Sequence, residues 1–329
     1  MRKLIFTVGM LALALWATQN PSNRCAGQTA TAASSPAART SDSPTVSQTS
    51  VSSSTPIRRP PNTLLLYSDQ HNAGVLGCAG HPDVKTPRLD QLASRGVRFE
   101  RGYCQDAICI PSRTSLMTGL YPRSTGVLFN GDHCREDVRL VPLAAHLRRH
   151  NYRTGAFGKR HLTDPQTNDG WNVTATSCNP KAEPSDEYYW DWVRSIGQWD
   201  AFERDWNAEW GAKYTPSRAA EMASQVSQLP PEATMEAWTA RKASAFIRQS
   251  AQGDKPFFCW VSFYRPHQPY TPLPQYYGWY DIQKLRLPAS LHEPFEHLPP
   301  RLKKRCASRW PSGLRTLPMS PASRSNRFR

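Results

Sequence analysis

The sequence predicts an α/β fold in which a mostly parallel central sheet is flanked by helices. Two unbroken apolar runs, residues 62–67 and 256–263, are typical of strands that are covered on both faces, and the first run fits a central parallel strand. Between them, residues 143–150 have the pattern of a helix and residues 152–157 that of the strand after it. A length of 329 residues is enough for one sizeable domain with a substantial core.

The N-terminal part of the chain differs from this domain in composition. Residues 1–27 begin with basic residues and a short apolar run, which indicates a signal peptide and an exported protein, periplasmic or secreted. The apolar run is too short to cross a bilayer, so we expect no membrane span. Residues 28–61 are rich in Ser, Thr, Ala and Pro and predict a flexible linker. Cys25 suggests lipid attachment as an alternative, which the preceding Arg24 disfavours.

The net charge of +15 suggests a nucleic-acid partner, but its distribution argues against one. Nine of the basic residues lie in residues 297–329, where no acidic residue occurs, so the rest of the chain is only mildly basic. A mildly basic domain suits an enzyme that acts on anionic esters. Eight cysteines permit disulfides in an exported protein, and the absence of any Cys-x-x-Cys pair argues against a zinc ribbon.

Three further elements complete the predicted fold. Thr86 and Pro87 can cap a helix over residues 88–95, with Leu89 and Leu92 inward, and residues 97–103 then suit a short strand. Residues 232–250 predict a long helix, whose candidate buried positions are Met235, Trp238, Ala245, Phe246 and Ile247. In the tryptophan-rich segment between residues 164 and 231, Phe202, Trp206 and Trp210 recur at helical spacing, which favours a packed face over a sugar-binding platform.

The densest group of chemically reactive residues surrounds Cys109-Ile-Pro-Ser-Arg113. Pro111 suits the first turn of a helix over residues 112–118 that Gly119 closes, so Cys109 should lie at a helix N-terminus, where unpaired N–H groups favour an anion. Arg113, one turn further on, can pair with that anion. The plainer interpretation, a buried cysteine beside a turn proline, explains less of the pattern.

Five segments together resemble the sulfatase family of the alkaline phosphatase superfamily. They are Cys109-Ile-Pro-Ser-Arg113, the following Thr-Gly-Leu-Tyr-Pro at 118–122, the segment at 86–96, Gly-Lys-Arg-His-Leu at 158–162 and Pro-His-Gln-Pro at 266–269. The resemblance covers residues 62 to about 295 and implies that residues 62–298 are the N-terminal catalytic domain of that fold. At residue 160 the family usually has Trp, so Arg160 is expected to add a cation beside the pocket.

The resemblance implies a sulfate ester hydrolase in which a maturation enzyme oxidises Cys109 to formylglycine (3-oxoalanine). The hydrated aldehyde has two hydroxyls, of which one attacks sulfur and the other later expels the sulfate by re-forming the aldehyde. The other implied roles are calcium binding for Asp69 and Gln70 together with residue 109, and contacts to the sulfate or leaving group for Arg113, Lys159, His161 and His267.

Beyond about residue 295 the resemblance ends, and the expected fold is truncated at the C-terminus. Residues 299–329 form a basic tail rich in Arg, Pro and Ser, either disordered or translated out of frame, and its abrupt start favours the second. Because part of the family's metal ligands is missing, the chain alone is expected to be inactive or unstable. Two alternatives stay open: a phosphonate monoester or phosphodiester hydrolase, and a non-catalytic secreted protein that binds sulfated glycans.

Overall fold

A computed structural model describes residues 59–162, 164, 167–178, 183–210, 224–281, 283–286 and 299–300. The predicted signal peptide, nearly all of the predicted linker and the tail after residue 300 lie outside the described residues. Within the described part, no helix is long and apolar enough to pass through a membrane.

The centre of the fold is a parallel sheet, as the sequence predicts. Its described part has five strands, of which those at residues 173–176 and 187–188 were not predicted. The strands are β1 (Thr63–Ser68), β2 (Arg153–Gly158), β3 (Val173–Thr176), β4 (Glu187–Tyr188) and β5 (Phe257–Phe263), in the spatial order β1-β5-β2-β3-β4. Every pairing is parallel. The prediction that β1 is a central strand is wrong for the described sheet, in which β1 is an edge strand. Its neighbour β5 lies between β1 and β2.

Eight α-helices accompany the described strands. They are α1 (Pro87–Ala93), α2 (Cys109–Thr118), α3 (Pro122–Thr125), α4 (Leu143–Arg149), α5 (Tyr189–Ser195), α6 (Trp199–Trp210), α7 (Met235–Ala251) and α8 (Pro274–Tyr277). The four predicted helices correspond to α1, α2, α4 and α7. The predicted strand at 97–103 is wrong, since these residues form no strand, and Val97 and Phe99 are exposed and so have no apolar packing to hold one.

Alternation along β5 shows how the sheet is buried on both faces. Phe257, Cys259 and Val261 pack in one cluster with residues of α7, whereas Phe258 and Trp260 pack in another with Leu116 and Met117 of α2. Successive side chains of a strand point to opposite faces, so one strand supplies both cores. Each large apolar side chain buried in this way contributes about 2–3 kcal/mol.

The predicted buried face of α7 is confirmed at three positions and wrong at one. Met235, Trp238 and Phe246 are buried and Ile247 is partly buried, but Ala245 is exposed, and Ala243 is the small buried residue instead. On α6, Phe202 is buried and packs against Trp206, with ring centroids 5.8 Å apart. Phe202 and Trp206 therefore form part of the core, as expected, whereas the side chain of Trp210 lies outside the described residues.

Candidate active site

The site lies at the carboxyl ends of three parallel strands, β1, β2 and β5, which meet on the same side of the sheet. The register pairs Ser68 at the end of β1 with Phe263 of β5, and Gly158 at the end of β2 with Ser262 of β5. The residues that follow these strands therefore lie together, as expected for ligand sites in open parallel sheets. They are Asp69 after β1, Lys159 after β2, and the segment from Tyr264 to His267 after β5.

Cys109 is the first residue of α2, and the helix therefore starts three residues earlier than predicted. Ile108 is the N-cap, and the N–H of Ile110 donates to the Asn130 side-chain oxygen at 3.0 Å. Gly119, at φ 72°, closes the helix in the left-handed conformation that glycine adopts readily. The Cys109 sulfur lies 4.0 Å from Oδ1 of Asp69. The reactive position thus faces a carboxylate from the N-terminal end of a helix.

Asp69 is a buried carboxylate between two cations. Its Oδ2 accepts a hydrogen bond from Nζ of Lys159, and its Oδ1 lies 3.7 Å from Nη2 of Arg113. Burial by itself would raise the pKa of Asp69, but the charges of Arg113 and Lys159 outweigh burial and lower the pKa below its usual value. Asp69 is therefore ionised at neutral pH, and the three side chains together carry a positive charge.

Arg113 lies beneath the site and is fully buried. Its Nη1 donates to the carbonyl oxygens of Lys159 and Arg160, the latter at 3.2 Å, and to Oγ of Ser262 at 3.0 Å. Its Cζ lies 4.9 Å from the centroid of the Tyr67 ring. These contacts fix α2 against the ends of β2 and β5, and they place the guanidinium charge directly behind Asp69.

Two histidines share this electrostatic environment. Ligand atoms of Asp69, Cys109 and His267 all lie within 4.8 Å of one another. Burial and then the charge of Lys159 lower the pKa of His267. His161, which has φ 51°, has a buried Nδ1 without a hydrogen-bond partner, and burial followed by the charges of Lys159 and Arg113 lowers its pKa to about 3. Both rings are therefore neutral at neutral pH.

The hydrogen bond of His267 defines which ring nitrogen carries the proton. Nδ1 of His267 lies 2.7 Å from the carbonyl oxygen of Gln268, and a carbonyl oxygen can only accept. Nδ1 is therefore the donor, and Nε2 of the neutral ring has a free electron pair. In this form His267 can accept a proton.

Two neighbouring side chains, Asp69 and Gln70, offer oxygen atoms of the kind that calcium binds. Calcium prefers oxygen ligands, and Asp69 offers a carboxylate while the adjacent Gln70 offers an amide oxygen. Gln70, at φ 57°, is exposed, and its Nε2 donates to Oε1 of Gln268 at 3.0 Å, so its own Oε1 is not used in this bond. A thiol at position 109 suits calcium poorly, whereas an aldehyde or hydroxyl oxygen there would suit it well.

Arg160 does not add a cation to the pocket as the sequence suggests. Its side chain is buried, donates to Oδ1 of Asn168 at 2.8 Å and to the carbonyl of Pro184, and lies 3.7 Å from Oε1 of Glu183. Glu183 in turn accepts from Oγ1 of Thr176. The guanidinium is thus held by Asn168, Glu183 and Pro184 and not by the pocket. A buried charge that is paired in this way is less costly than an unpaired one.

Two site residues were missed at the sequence level. Ser262 accepts a hydrogen bond from Arg113. The one sequence signal for this role was that Ser262 is a polar residue within the apolar run of β5. Tyr264 lies against Lys159, with Nζ 4.4 Å from the ring centroid, and its sequence shows no signal for that contact. All six cysteines in the described residues are free thiols.

Comparisons with known proteins identify the family. The sulfatase family profile matches residues 61–290. An ulvan-active sulfatase of Formosa agariphila is 30% identical over 243 residues, covering 72% of this chain and 41% of that protein. Human arylsulfatase A is 41% identical over 110 residues, covering 32% of this chain and 22% of that protein. The chain belongs to the sulfatase family.

A solved structure extends the likeness to the fold. The phosphonate monoester hydrolase of Agrobacterium radiobacter superposes with a TM-score of 0.51 at 29% identity, covering 66% of this chain and 43% of that chain. The chain spans less than half the length of each of these relatives.

Proposed function

We propose that the protein hydrolyses sulfate esters and that formylglycine, made from Cys109, is the nucleophile. This proposal takes the place of the expectation from the sequence that the chain alone is inactive. The observation that carries the proposal is the position of Cys109 at the start of α2, 4.0 Å from Asp69, with Lys159, Arg113 and His267 grouped at the same sheet edge. Membership of the sulfatase family and the names of the relatives support the same reaction.

The charge of the site favours an anionic substrate. Lys159 and Arg113 carry two positive charges against the single negative charge of Asp69, and all three side chains are almost fully buried. Charges act more strongly in such a place than in water, and they need no reorganisation when negative charge develops on the substrate. A sulfate ester brings an anion to this surplus of positive charge, and the N-terminus of α2 adds to the attraction.

The proton transfers can be assigned to His267. Formylglycine supplies the hydroxyl that attacks sulfur. Nε2 of His267, which has a free electron pair, accepts the proton of that hydroxyl, since the ring and residue 109 lie close together. The imidazolium then donates the proton to the alcohol oxygen as the sulfur–oxygen bond breaks, so the leaving group departs as a neutral alcohol. The low pKa of His267 makes this transfer favourable.

We also propose that Asp69 and Gln70 hold a calcium ion together with the oxygen at position 109. Their oxygens are of the kind that calcium binds, and Asp69 is ionised at neutral pH. A bound calcium ion would stabilise negative charge on oxygen near the nucleophile.

Two cellular steps are part of the proposal. Residues 1–27 would direct export and be removed. N-terminal sequencing of protein recovered outside the cytoplasm tests this step, and an intact Met1 in that protein would contradict it. A formylglycine-generating enzyme would convert Cys109. Mass spectrometry of the tryptic peptide 102–113 from co-expressing cells tests this, and an unconverted cysteine would contradict it.

The reaction itself is tested by blocking its second half. In a Cys109→Ser variant, a single hydroxyl can attack sulfur but cannot re-form an aldehyde, so the sulfate should stay attached to position 109. We expect one sulfate group per chain after incubation with an aryl sulfate, and none in a Cys109→Ala control. Absence of the adduct from both variants, combined with salt-sensitive binding of a sulfated polysaccharide, would instead support the non-catalytic alternative.

A phosphonate monoester hydrolase is the second candidate function. It is favoured by the superposition on the phosphonate monoester hydrolase of Agrobacterium radiobacter at 29% identity. Parallel incubations of the Cys109→Ser variant with the sulfate and the phosphonate ester of one phenol separate the two candidates. A faster sulfate adduct supports the proposal, whereas a faster phosphonate adduct would transfer the assignment to the second candidate.

A further inference from the structure

Tyr264 contacts two of the proposed sulfate-site residues with one ring. It follows β5 directly and is 6% exposed. Nζ of Lys159 lies 4.4 Å from the ring centroid, within the range of a cation–π interaction. The ring of His267 meets it edge-on, with centroids 5.1 Å apart and planes at 67°. The backbone N–H of His267 also donates to the carbonyl oxygen of Tyr264 at 3.3 Å.

The other side of the ring is held by the aromatic core. Trp206 of α6 lies 5.5 Å from Tyr264, centroid to centroid, and itself packs on Phe202 and Trp190. Tyr264 belongs to the same buried cluster. The ring therefore has a fixed position, set by α6 and β5, against which Lys159 and His267 rest.

We infer that Tyr264 is a positioning residue that fixes the Lys159 ammonium and the His267 ring for the sulfate group. This inference rests on the proposed function and extends it to a residue that does not itself react. A lysine side chain has several rotatable bonds, and an unsupported ammonium would lose that freedom when it binds an anion. The ring removes this cost beforehand.

The chemistry of an aromatic ring suits this task better than a second carboxylate would. Asp69 binds the same ammonium but cancels its charge. The Tyr264 ring has no net charge, so it attracts the ammonium through its quadrupole and leaves the full positive charge for an anion. The hydroxyl is not needed for this effect, which predicts that phenylalanine can replace tyrosine.

Three variants separate positioning from general packing. Tyr264→Phe keeps the ring, Tyr264→Leu removes it, and Phe202→Leu makes the same aromatic-to-leucine change in the same cluster away from Lys159 and His267. Each is made in the Cys109→Ser background, and the rate of adduct formation is measured over a range of aryl sulfate concentrations. NMR of the Lys159 ε-methylene protons, in the same proteins, reports whether an aromatic ring lies over them.

We expect Tyr264→Leu to slow adduct formation at low substrate by about 10- to 30-fold, the value of a desolvated cation–π contact. Its Lys159 protons should lose their upfield ring-current shift. In Tyr264→Phe and Phe202→Leu, the rate of adduct formation should stay within about twofold of the rate in the Cys109→Ser protein. The Lys159 protons of both variants should keep their upfield ring-current shift.

Equal slowing by Tyr264→Leu and Phe202→Leu would overturn the inference, because it would show a packing effect alone. An unchanged Lys159 shift in Tyr264→Leu, or a Tyr264→Phe variant as slow as Tyr264→Leu, would also overturn it. If the Cys109→Ser protein forms no adduct, the proposed function fails by itself. The NMR comparison then still decides whether the ring holds Lys159.

Discussion

Removal of the charge of Glu183 should destabilise the protein without changing any contact of Cys109. Glu183 lies 3.7 Å from Nε of Arg160, and both side chains are at most 2% exposed. The same carboxylate accepts from Oγ1 of Thr176 and, at 3.4 Å, from the N–H of Leu162. In Glu183→Gln the guanidinium keeps Asn168 and the Pro184 carbonyl but loses its counter-charge.

The magnitude follows from these contacts. Removal of one partner of a buried ion pair costs about 3–5 kcal/mol when the remaining charge has no other partner. Nε of Arg160 makes no hydrogen bond, and the two other bonds of the guanidinium remain, so the loss should fall below that range. We expect a loss of about 2–3 kcal/mol, the value of a hydrogen bond to a charged group plus the unpaired charge.

Urea denaturation measures this loss. With a slope of about 3 kcal/mol/M, the upper value for small proteins, the midpoint should fall by nearly 1 M. The matched control is Glu187→Gln, which makes the same change in an exposed pair with Lys242 and should leave the midpoint almost unchanged. A double variant, Arg160→Met with Glu183→Gln, should recover part of the loss, since it has no unpaired charge. Equal midpoints for Glu183→Gln and Glu187→Gln would refute the reasoning.

Two further predictions concern pH and calcium. Folding lowers the pKa of His161 from 6.5 to about 3, so between these pH values the unfolded state binds a proton that the folded state does not bind. The stability that the neutral ring permits is therefore complete above pH 6.5 and is lost towards pH 3. The slope should stay below about 1.4 kcal/mol per pH unit because the ring is partly exposed. Urea midpoints of His161→Asn should therefore depend less on pH between 6.5 and 4 than those of the parent protein, and equal slopes would contradict this. Asp69→Asn should weaken calcium binding, measured by titration calorimetry, by about tenfold or more, whereas the exposed Asp137→Asn should not; equal affinities would remove Asp69 from the site.

Three of the described strands and the helix that begins at Cys109 could be predicted because short-range patterns determine them. The apolar runs of β1 and β5 leave few alternatives to buried strands. Pro111 and Gly119 similarly define α2 to within one turn. The residue that follows a parallel strand lies at the carboxyl end of the sheet, which predicts the place of Asp69, whereas its role as a ligand came from the family resemblance.

The errors arise where a residue's partner lies far away in the sequence. Arg160 was expected in the pocket, yet Glu183, 23 positions later, pairs with it behind the sheet edge. The position of β1 at the edge of the described sheet depends on strand order, which its own sequence does not contain. Ala245 fits the helical period of α7, but packing against β2 and β5 buries Ala243 instead. Tyr264 was missed for the same reason, since Lys159 comes from another strand.

The central claim is that position 109 carries out nucleophilic attack on sulfur. Its most direct test is the mass of the tryptic peptide 102–113 from the Cys109→Ser variant after incubation with an aryl sulfate. We predict that this peptide gains one sulfate group at position 109, and that the same peptide from the Cys109→Ala variant gains none. A peptide of unchanged mass, from a folded variant at saturating substrate, would contradict the claim.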